Sequence, residues 1–224
     1  MIGLQILKRR RAVDVALARR FLDVPVANVS DCMARMFAGG PRLRPMHSGG
    51  RMAGAALTVK TRPGDNLLIH KALELAQPGD VIVVDGGGDL TNSLIGEIMA
   101  DHAALLGVAG LVINGAIRDA GAIRRKALPV FAAGVTHRGP YKDGPGEVNV
   151  TLALDGMVVH PGDLIIGDDD GLLCVPFELA QTLLDAALGK QETERRMVAS
   201  IAEGTYSAPW VDATLDRLNC YVEK

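Results

Sequence analysis

The stretch from Val81 to Asp119 decides the reading of this chain. It opens with the apolar run Val81-Ile-Val-Val84 and passes into Asp85-Gly-Gly-Gly-Asp89, a turn that glycine backbones tolerate most easily. An amphipathic segment with Gly96-Glu97 near its start follows. A second apolar run, Leu111-Val-Ile113, then leads into Asn114-Gly115-Ala-Ile-Arg118-Asp119. The pattern is strand, glycine-rich loop, helix, strand, charged tip. Open α/β sheets place their chemistry at the carboxyl ends of strands, where Arg118 and Asp119 fall.

Working outward, apolar positions at Val13, Ala16, Leu17 and Phe21 predict a helix over residues 10–22, ended by Pro25. Asn28, Ser30 and Asp31 offer caps for a short helix from Cys32 to Phe37. Gly54 to Val59 reads as a strand. Asp65 is placed to cap a helix whose apolar positions are Leu67, Leu68, Ala72, Leu75 and Ala76. The helix after the glycine loop has its predicted apolar stripe at Ile95, Ile98, Met99, Leu105 and Leu106. Beyond Asp119 come a short helix (Ala120 to Lys126), a strand (Leu128 to Ala132) and a glycine- and proline-rich loop over 134–147. Val148 to Leu154 reads as a strand, and Asp155-Gly156 as a hairpin turn into Met157-Val-Val159. Leu164 to Ile166 and Leu172 to Val175 are strands around the turn Asp168-Asp-Asp-Gly171. Phe177 to Glu203 has a helical pattern, and 204–224 reads as a tail. Alternating elements up to residue 132, then strands, then one long helix, indicate a mixed α/β layered domain with no internal linker.

The 224 residues are enough for one domain with a substantial core. A net charge of −2 gives no electrostatic reason to expect nucleic acid, and 4% aromatic content argues against base stacking. No apolar run approaches the ~18 residues of a membrane span, and no secretory apolar region is present, so a cytoplasmic protein is expected. Cys32, Cys174 and Cys220 are widely spaced and odd in number, which points to neither a disulfide framework nor a thiolate zinc site.

Several familiar chemistries are absent. The glycine loop fails the dinucleotide pattern because Thr91 stands where its third glycine belongs. The five histidines form no metal-binding pair at helical spacing, and there is no nucleophile elbow. Asp168-Asp-Asp170 lacks the spaced ligands of a calcium loop and reads as a turn. Two pairs remain. An aspartate after a strand is commonly just a helix cap, but Arg118 beside Asp119 offers a metal-binding carboxylate next to a cation suited to an anionic substrate. Gly96-Glu97 is a helix start whose backbone N–H groups bind carboxylates; Glu97 is either an ordinary first-turn acid or a general base. Metal-assisted catalysis is better supported than covalent catalysis.

Gly96-Glu97, twenty residues, then Arg118-Asp119 resembles the signature of the 4-hydroxy-4-methyl-2-oxoglutarate aldolase family, which includes the regulator of ribonuclease activity A (RraA) proteins. Pro78-Gly-Asp-Val-Ile-Val-Val84, Gly107-Val-Ala-Gly-Leu-Val112, Gly115-Ala-Ile-Arg-Asp119, Leu128-Pro-Val-Phe131 and the run from Pro161 to Leu172 support it. The likeness covers roughly residues 25–205 and rests on the order of the motifs rather than on any one of them.

The resemblance implies a single RraA-like domain over 1–224: a layered α/β/β sandwich with an N-terminal helix and a C-terminal helical arm and tail. It implies homotrimers or hexamers with sites between subunits. It assigns Asp119 to Mg²⁺ or Mn²⁺, and Arg118 to the substrate. Gly96, Glu97, Ile98 and Met99 become the substrate-binding helix start, and Glu97 the acidic residue beside the metal's water. Active family members add a glutamate from a neighbour's C-terminal helix, for which Glu192 and Glu194 are candidates and Glu194 the favoured one. The implied activity is retro-aldol cleavage of 2-oxo acids to pyruvate, with oxaloacetate decarboxylation at the same site. The alternative is a non-catalytic, protein-binding regulator of ribonuclease activity; the acid at Glu97 favours an enzyme. A methyltransferase reading has no glycine-loop or adenosine-clamp support. The segment from Glu203 to Lys224 departs from the tyrosine- and methionine-rich tail of typical aldolases.

Overall fold

The computed structural model describes residues 3–36 and 39–223. They fall into two compact units, Met1–Ala187 and Leu188–Lys224. The first carries β1 (Leu4–Ile6), α1 (Val15–Arg20), α2 (Val26–Cys32), β2 (Arg44–Pro45), β3 (Met52–Thr61), α3 (Leu67–Leu75), β4 (Asp80–Asp85), β5 (Ser93–Ile95), α4 (Glu97–Leu105), β6 (Gly110–Ile117), α5 (Ala120–Arg124), β7 (Val130–Val135) and β8 (Gly146–Val148). It continues through β9 (Leu152–Leu154), β10 (Met157–Val159), β11 (Leu164–Asp168) and β12 (Gly171–Val175) into α6 (Ala180–Ala202). The second unit holds the rest of α6 and α7 (Pro209–Arg217).

Among the described residues one sheet has ten strands, with β1-β8-β3-β4-β6-β7-β2 as its main path. Strands β3, β4, β6 and β7 run parallel, and β11 pairs antiparallel with the start of β3. The apolar runs that looked continuous in sequence divide by strand alternation. Ile82, Val84, Leu111 and Ile113 join one core with Leu68, Ala72, Ala100 and Ala103 of α3 and α4. Val81, Val83 and Val112 join the other, with Leu152, Leu154, Met157 and Val159 of the β9–β10 hairpin. Both faces are therefore covered, giving helices, sheet and hairpin as successive layers. Each fully buried Val, Leu or Ile contributes roughly 1.5–3 kcal/mol. The glycine loop behaves as expected: Gly87 and Gly88 both have left-handed φ, +71° and +69°.

The local differences have identifiable causes. The helix expected over Cys32 to Phe37 lies earlier, at Val26–Cys32, because Asp168 Oδ2 accepts the Val26 N–H (2.9 Å) and caps it from 142 residues away; Phe37 is outside the described residues. The first predicted helix is shortened to Val15–Arg20 by Asp14, whose carboxylate accepts the Ala16 and Leu17 N–H groups. The stripe expected on α4 is turned: Ile98 and Leu105 are 79% and 85% exposed, and Met99, Ala100 and Ala103 face inward, since alanines allow closer approach to the sheet. The strand expected over Val148 to Leu154 is broken by Asn149 at φ +59°. Residues 204–224 include α7, with Pro209 at its start, where a proline costs no helical hydrogen bond. Strands β1 and β5 were not expected.

Candidate functional site

The short strand β5 brings the site together. Ser93 pairs with Ala116 and Ile95 with Ile117, parallel to the end of β6. β5, α4 and β6 thus make a βαβ unit whose two strand ends lie side by side. The Arg118 N–H donates to Ile95 O at 3.0 Å, so Gly96 must lie against Arg118-Asp119. The twenty residues separating the pairs are α4 and the return strand.

Contact at this junction is close. Asp119 has left-handed φ of +55°, a conformation in which Asp is among the few tolerated non-glycine residues. Its Oδ2 accepts the Glu97 N–H at 3.0 Å and lies 3.6 Å from Arg118 Nε. A Cβ added at Gly96 would sit 2.5 Å from Asp119 Oδ2 and 2.9 Å from Arg118 Nε, which explains the glycine by steric room. Arg118 and Asp119 side chains are 43% and 42% exposed, so both remain open to a ligand. Ile98 and Met99 occupy the first turn of α4, where backbone N–H groups lack helical acceptors.

A cavity of about 380 Å³ adjoins this junction, and Gly96, Ile98, Met99, Arg118, Asn66, His70 and Lys142 are among the residues that line it. Asp119 and Glu97 are not among its lining residues. Asn66 Nδ2 donates to Leu94 O at 3.0 Å, tying α3 to β5, while its buried Oδ1 has no partner. The Arg138-to-Asp143 loop is held on the same structure. Ser93 N–H and Oγ donate to Arg138 O, and the Asp143 and Gly144 N–H groups donate to Asp65 Oδ2 at 2.7 and 2.8 Å. The His70 imidazole is held below its ordinary pKa, first by burial, then by the nearby Lys142 and His102 charges, with Glu74 opposing.

Glu97 has a partner that the sequence did not suggest. Lys126 Nζ lies 3.0 Å from Glu97 Oε1 and 2.6 Å from Asp101 Oδ1. Its pKa is raised, first by the Asp101 hydrogen bond and then by that to Glu97. Among the described residues, no three His, Cys, Asp or Glu side chains form a metal cage. The donor chemistry fits a different kind of site: one half-exposed carboxylate, Asp119, suits a hard divalent cation that keeps waters and takes further oxygens from substrate. Glu192 and Glu194 are on the α6 segment of the second unit, where Glu192 pairs with Arg195 and Glu194 with Lys190.

The structure therefore adjoins Gly96, Glu97, Ile98, Met99, Arg118 and Asp119. It adds Asn66, His70, Lys142 and Lys126, which sequence reasoning missed. The four-residue spacing of Asn66 and His70 put them on one face of a helix start and was a usable signal. Lys142, in a glycine- and proline-rich loop, had none.

The Aldolase/RraA profile, described as RraA-like, matches residues 26–174. A protein of Halalkalibacterium halodurans provisionally named 4-hydroxy-4-methyl-2-oxoglutarate aldolase is 34% identical over 190 residues, covering 85% of this chain and 90% of its own. The Thermus thermophilus protein named 4-hydroxy-4-methyl-2-oxoglutarate aldolase is 40% identical over 126 residues, 56% of this chain and 76% of that one. The crystal structure of Streptomyces coelicolor RraAS2, described as an unusual member of the RNase ES inhibitor RraA family, superposes with a TM-score of 0.74 at 27% identity, covering 83% of this chain and 96% of that one. With two thirds of its length matched by one profile and near-complete overlap with such relatives, this chain belongs to the Aldolase/RraA family.

Proposed function

We propose that this protein is a divalent-metal-dependent lyase that cleaves 4-hydroxy-4-methyl-2-oxoglutarate-type 2-oxo acids to pyruvate and also decarboxylates oxaloacetate. The observation that carries this reading is the junction itself: Asp119 Oδ2 on the Glu97 N–H, with Arg118 beside it lining the adjoining cavity. The aldolase names of the two relatives support the same reading.

Asp119 would hold Mg²⁺ or Mn²⁺. When bound, the cation supplies Lewis-acid stabilisation of charge on the 2-oxo oxygen. Arg118 and the Ile98 and Met99 amides in the first turn of α4 hold the C1 carboxylate and orient the 2-oxo group. In retro-aldol cleavage the 4-hydroxyl proton passes through a water to Glu97, assisted by Glu194 of a neighbouring subunit in a trimer or hexamer. The C3–C4 bond breaks, its electron pair becomes the pyruvate enolate, and a proton at C3 completes pyruvate. Arg118 places positive charge where the enolate forms. Oxaloacetate loses CO₂ to give the same enolate without needing the base. Lys126 holds the Glu97 carboxylate at the start of α4.

The test is pyruvate release from 4-hydroxy-4-methyl-2-oxoglutarate and from oxaloacetate, with Mg²⁺ and with chelator. Chelator-sensitive turnover is expected; no pyruvate from either acid would overturn the reading. The Streptomyces relative's description supports a second reading, a protein-binding regulator of ribonuclease activity. That reading expects saturable binding to a ribonuclease and no metal-dependent turnover.

A further inference from the structure

The N-terminal arm has no role in the chemistry above, yet it lines a cavity of its own. Leu7 N–H donates to Val148 O at 3.0 Å, Asn149 Nδ2 donates to Leu7 O at 2.8 Å, and Val13 N–H donates to Gly162 O at 3.0 Å. Between these points two side chains are tied down. Arg9 donates to Asp80 Oδ1 at 2.6 Å, and Arg11 to Asp163 Oδ1 at 3.3 Å, with the Arg11 guanidinium 5.1 Å from the centre of the Phe177 ring. The positions that alternate with them, Lys8 and Arg10, are exposed. The arm lines a cavity of about 1040 Å³, in which Lys8 and Arg10 are joined by Ile6, Leu7, Asn149, His160 and Pro161. No Asp or Glu is among its described lining residues, and it shares none of them with the cavity beside Arg118. Concave sites of this size that combine apolar side chains with a few polar groups are suited to small ligands.

Two features define what fits. Lys8 and Arg10 present an ammonium and a guanidinium, the two groups that hold phosphate oxygens best. Asn149 has a left-handed φ of +59°, and with Nδ2 committed to Leu7 O its buried Oδ1 has no partner among the described residues. A buried acceptor without a donor is costly, and a hydroxyl or N–H on a ligand would satisfy it. We propose that this cavity binds an organic phosphomonoester. Its phosphate meets Lys8 and Arg10, its apolar body lies on Ile6, Leu7 and Pro161, and a hydroxyl or N–H donates to Asn149 Oδ1. The site does not rest on the lyase reading, since none of its residues takes part in 2-oxo acid cleavage. Lys8 and Arg10 are exposed, so their replacement does not threaten the fold.

The test is titration calorimetry on the full chain with two soluble esters that combine these features, adenosine 5′-monophosphate and pyridoxine 5′-phosphate. Adenosine, pyridoxine and inorganic phosphate serve as controls. The wild type should bind at least one ester on the order of tenfold more tightly than its phosphate-free counterpart, about the effect of charge-assisted hydrogen bonds at a partly exposed site, and more tightly than inorganic phosphate. The double variant K8M with R10M should erase the preference for the ester. N149G removes the acceptor at a φ that glycine adopts freely, and should weaken the ester and its counterpart alike. R118K should bind as the wild type does, which separates this cavity from the reacting junction. The assignment is overturned if neither ester exceeds its controls, if the double variant keeps the preference, or if R118K abolishes binding. Unchanged binding in N149G would also overturn it, because the donor to Asn149 is part of what defines the ligand.

Discussion

The buried carboxylate of Asp65 accepts the Gly144 backbone N–H at 2.8 Å, joining residues 79 positions apart. The same side chain also accepts from Asp143 N, Leu67 N and Arg62, so it fixes both the start of α3 and the root of the loop that carries Lys142. Asp65→Ala would leave these donors without their acceptor. A loss of roughly 3 kcal/mol in urea denaturation is expected, and a variant as stable as the wild type would show that the loop does not depend on this carboxylate.

Gly96→Ala tests the closeness of the two strand ends. The added methyl meets Asp119 Oδ2 and Arg118 Nε, and both must shift. Far-UV circular dichroism should be unchanged while kcat/KM for pyruvate release falls by about 10²-fold, as for small misplacements of reacting groups. Wild-type kinetics would mean that this contact is not part of the working geometry.

Arg118→Lys and Asp119→Asn address the charges themselves. Lysine keeps the positive charge but loses the planar fork, and asparagine keeps the shape of Asp119 but loses its charge. Each should lower kcat/KM by about 10²–10³-fold. Metal titration should separate them, with apparent Mg²⁺ affinity weakened in D119N and retained in R118K.

Lys126→Met releases Glu97 and Asp101 together. The raised pKa of Lys126 means that the stabilising charge is present throughout the neutral range and is lost only as pH climbs through the folded-state value, above the ordinary lysine value of about 10.5. The variant should therefore change kcat in the 4-hydroxy acid cleavage at neutral pH. Oxaloacetate decarboxylation, which needs no base at Glu97, should be much less affected. Equal loss in both reactions would remove the proton-transfer role of Glu97.

His70 predicts a pH effect on stability. Its lowered pKa means that the unfolded chain takes up the proton first as pH falls. Stability should be insensitive to His70 well above the ordinary histidine value of about 6.5, decline as pH drops through it, and level off below the folded value. Melting temperatures of wild type and H70Q, compared at several pH values, should converge in the alkaline range and separate on acidification, with H70Q the less acid-sensitive. Parallel curves would contradict the assignment.

The parts legible in sequence were those set by local pattern. Val81–Val84 and Leu111–Ile113 are apolar on both sides because both faces of their strands are covered. Gly96-Glu97 and Arg118-Asp119 are marked by strand-end charge. β5 was not legible, since Ser93-Leu-Ile95 is too short to show a period and exists only through its pairing with β6. The exposed side of α4 was misjudged because Ile98 and Leu105 are more hydrophobic than the alanines that in fact pack inward. Asp168 capping α2 and Lys126 reaching Glu97 depend on long-range geometry that no local window contains.

The loop from Arg138 to Asp143 is gripped at both roots, by Ser93 at one and by Asp65 at the other, and neither grip involves Arg118 or Asp119. The loop is thus anchored apart from the junction of Gly96, Glu97 and Asp119, and replacing its middle, between the two grips, is expected to leave that junction intact.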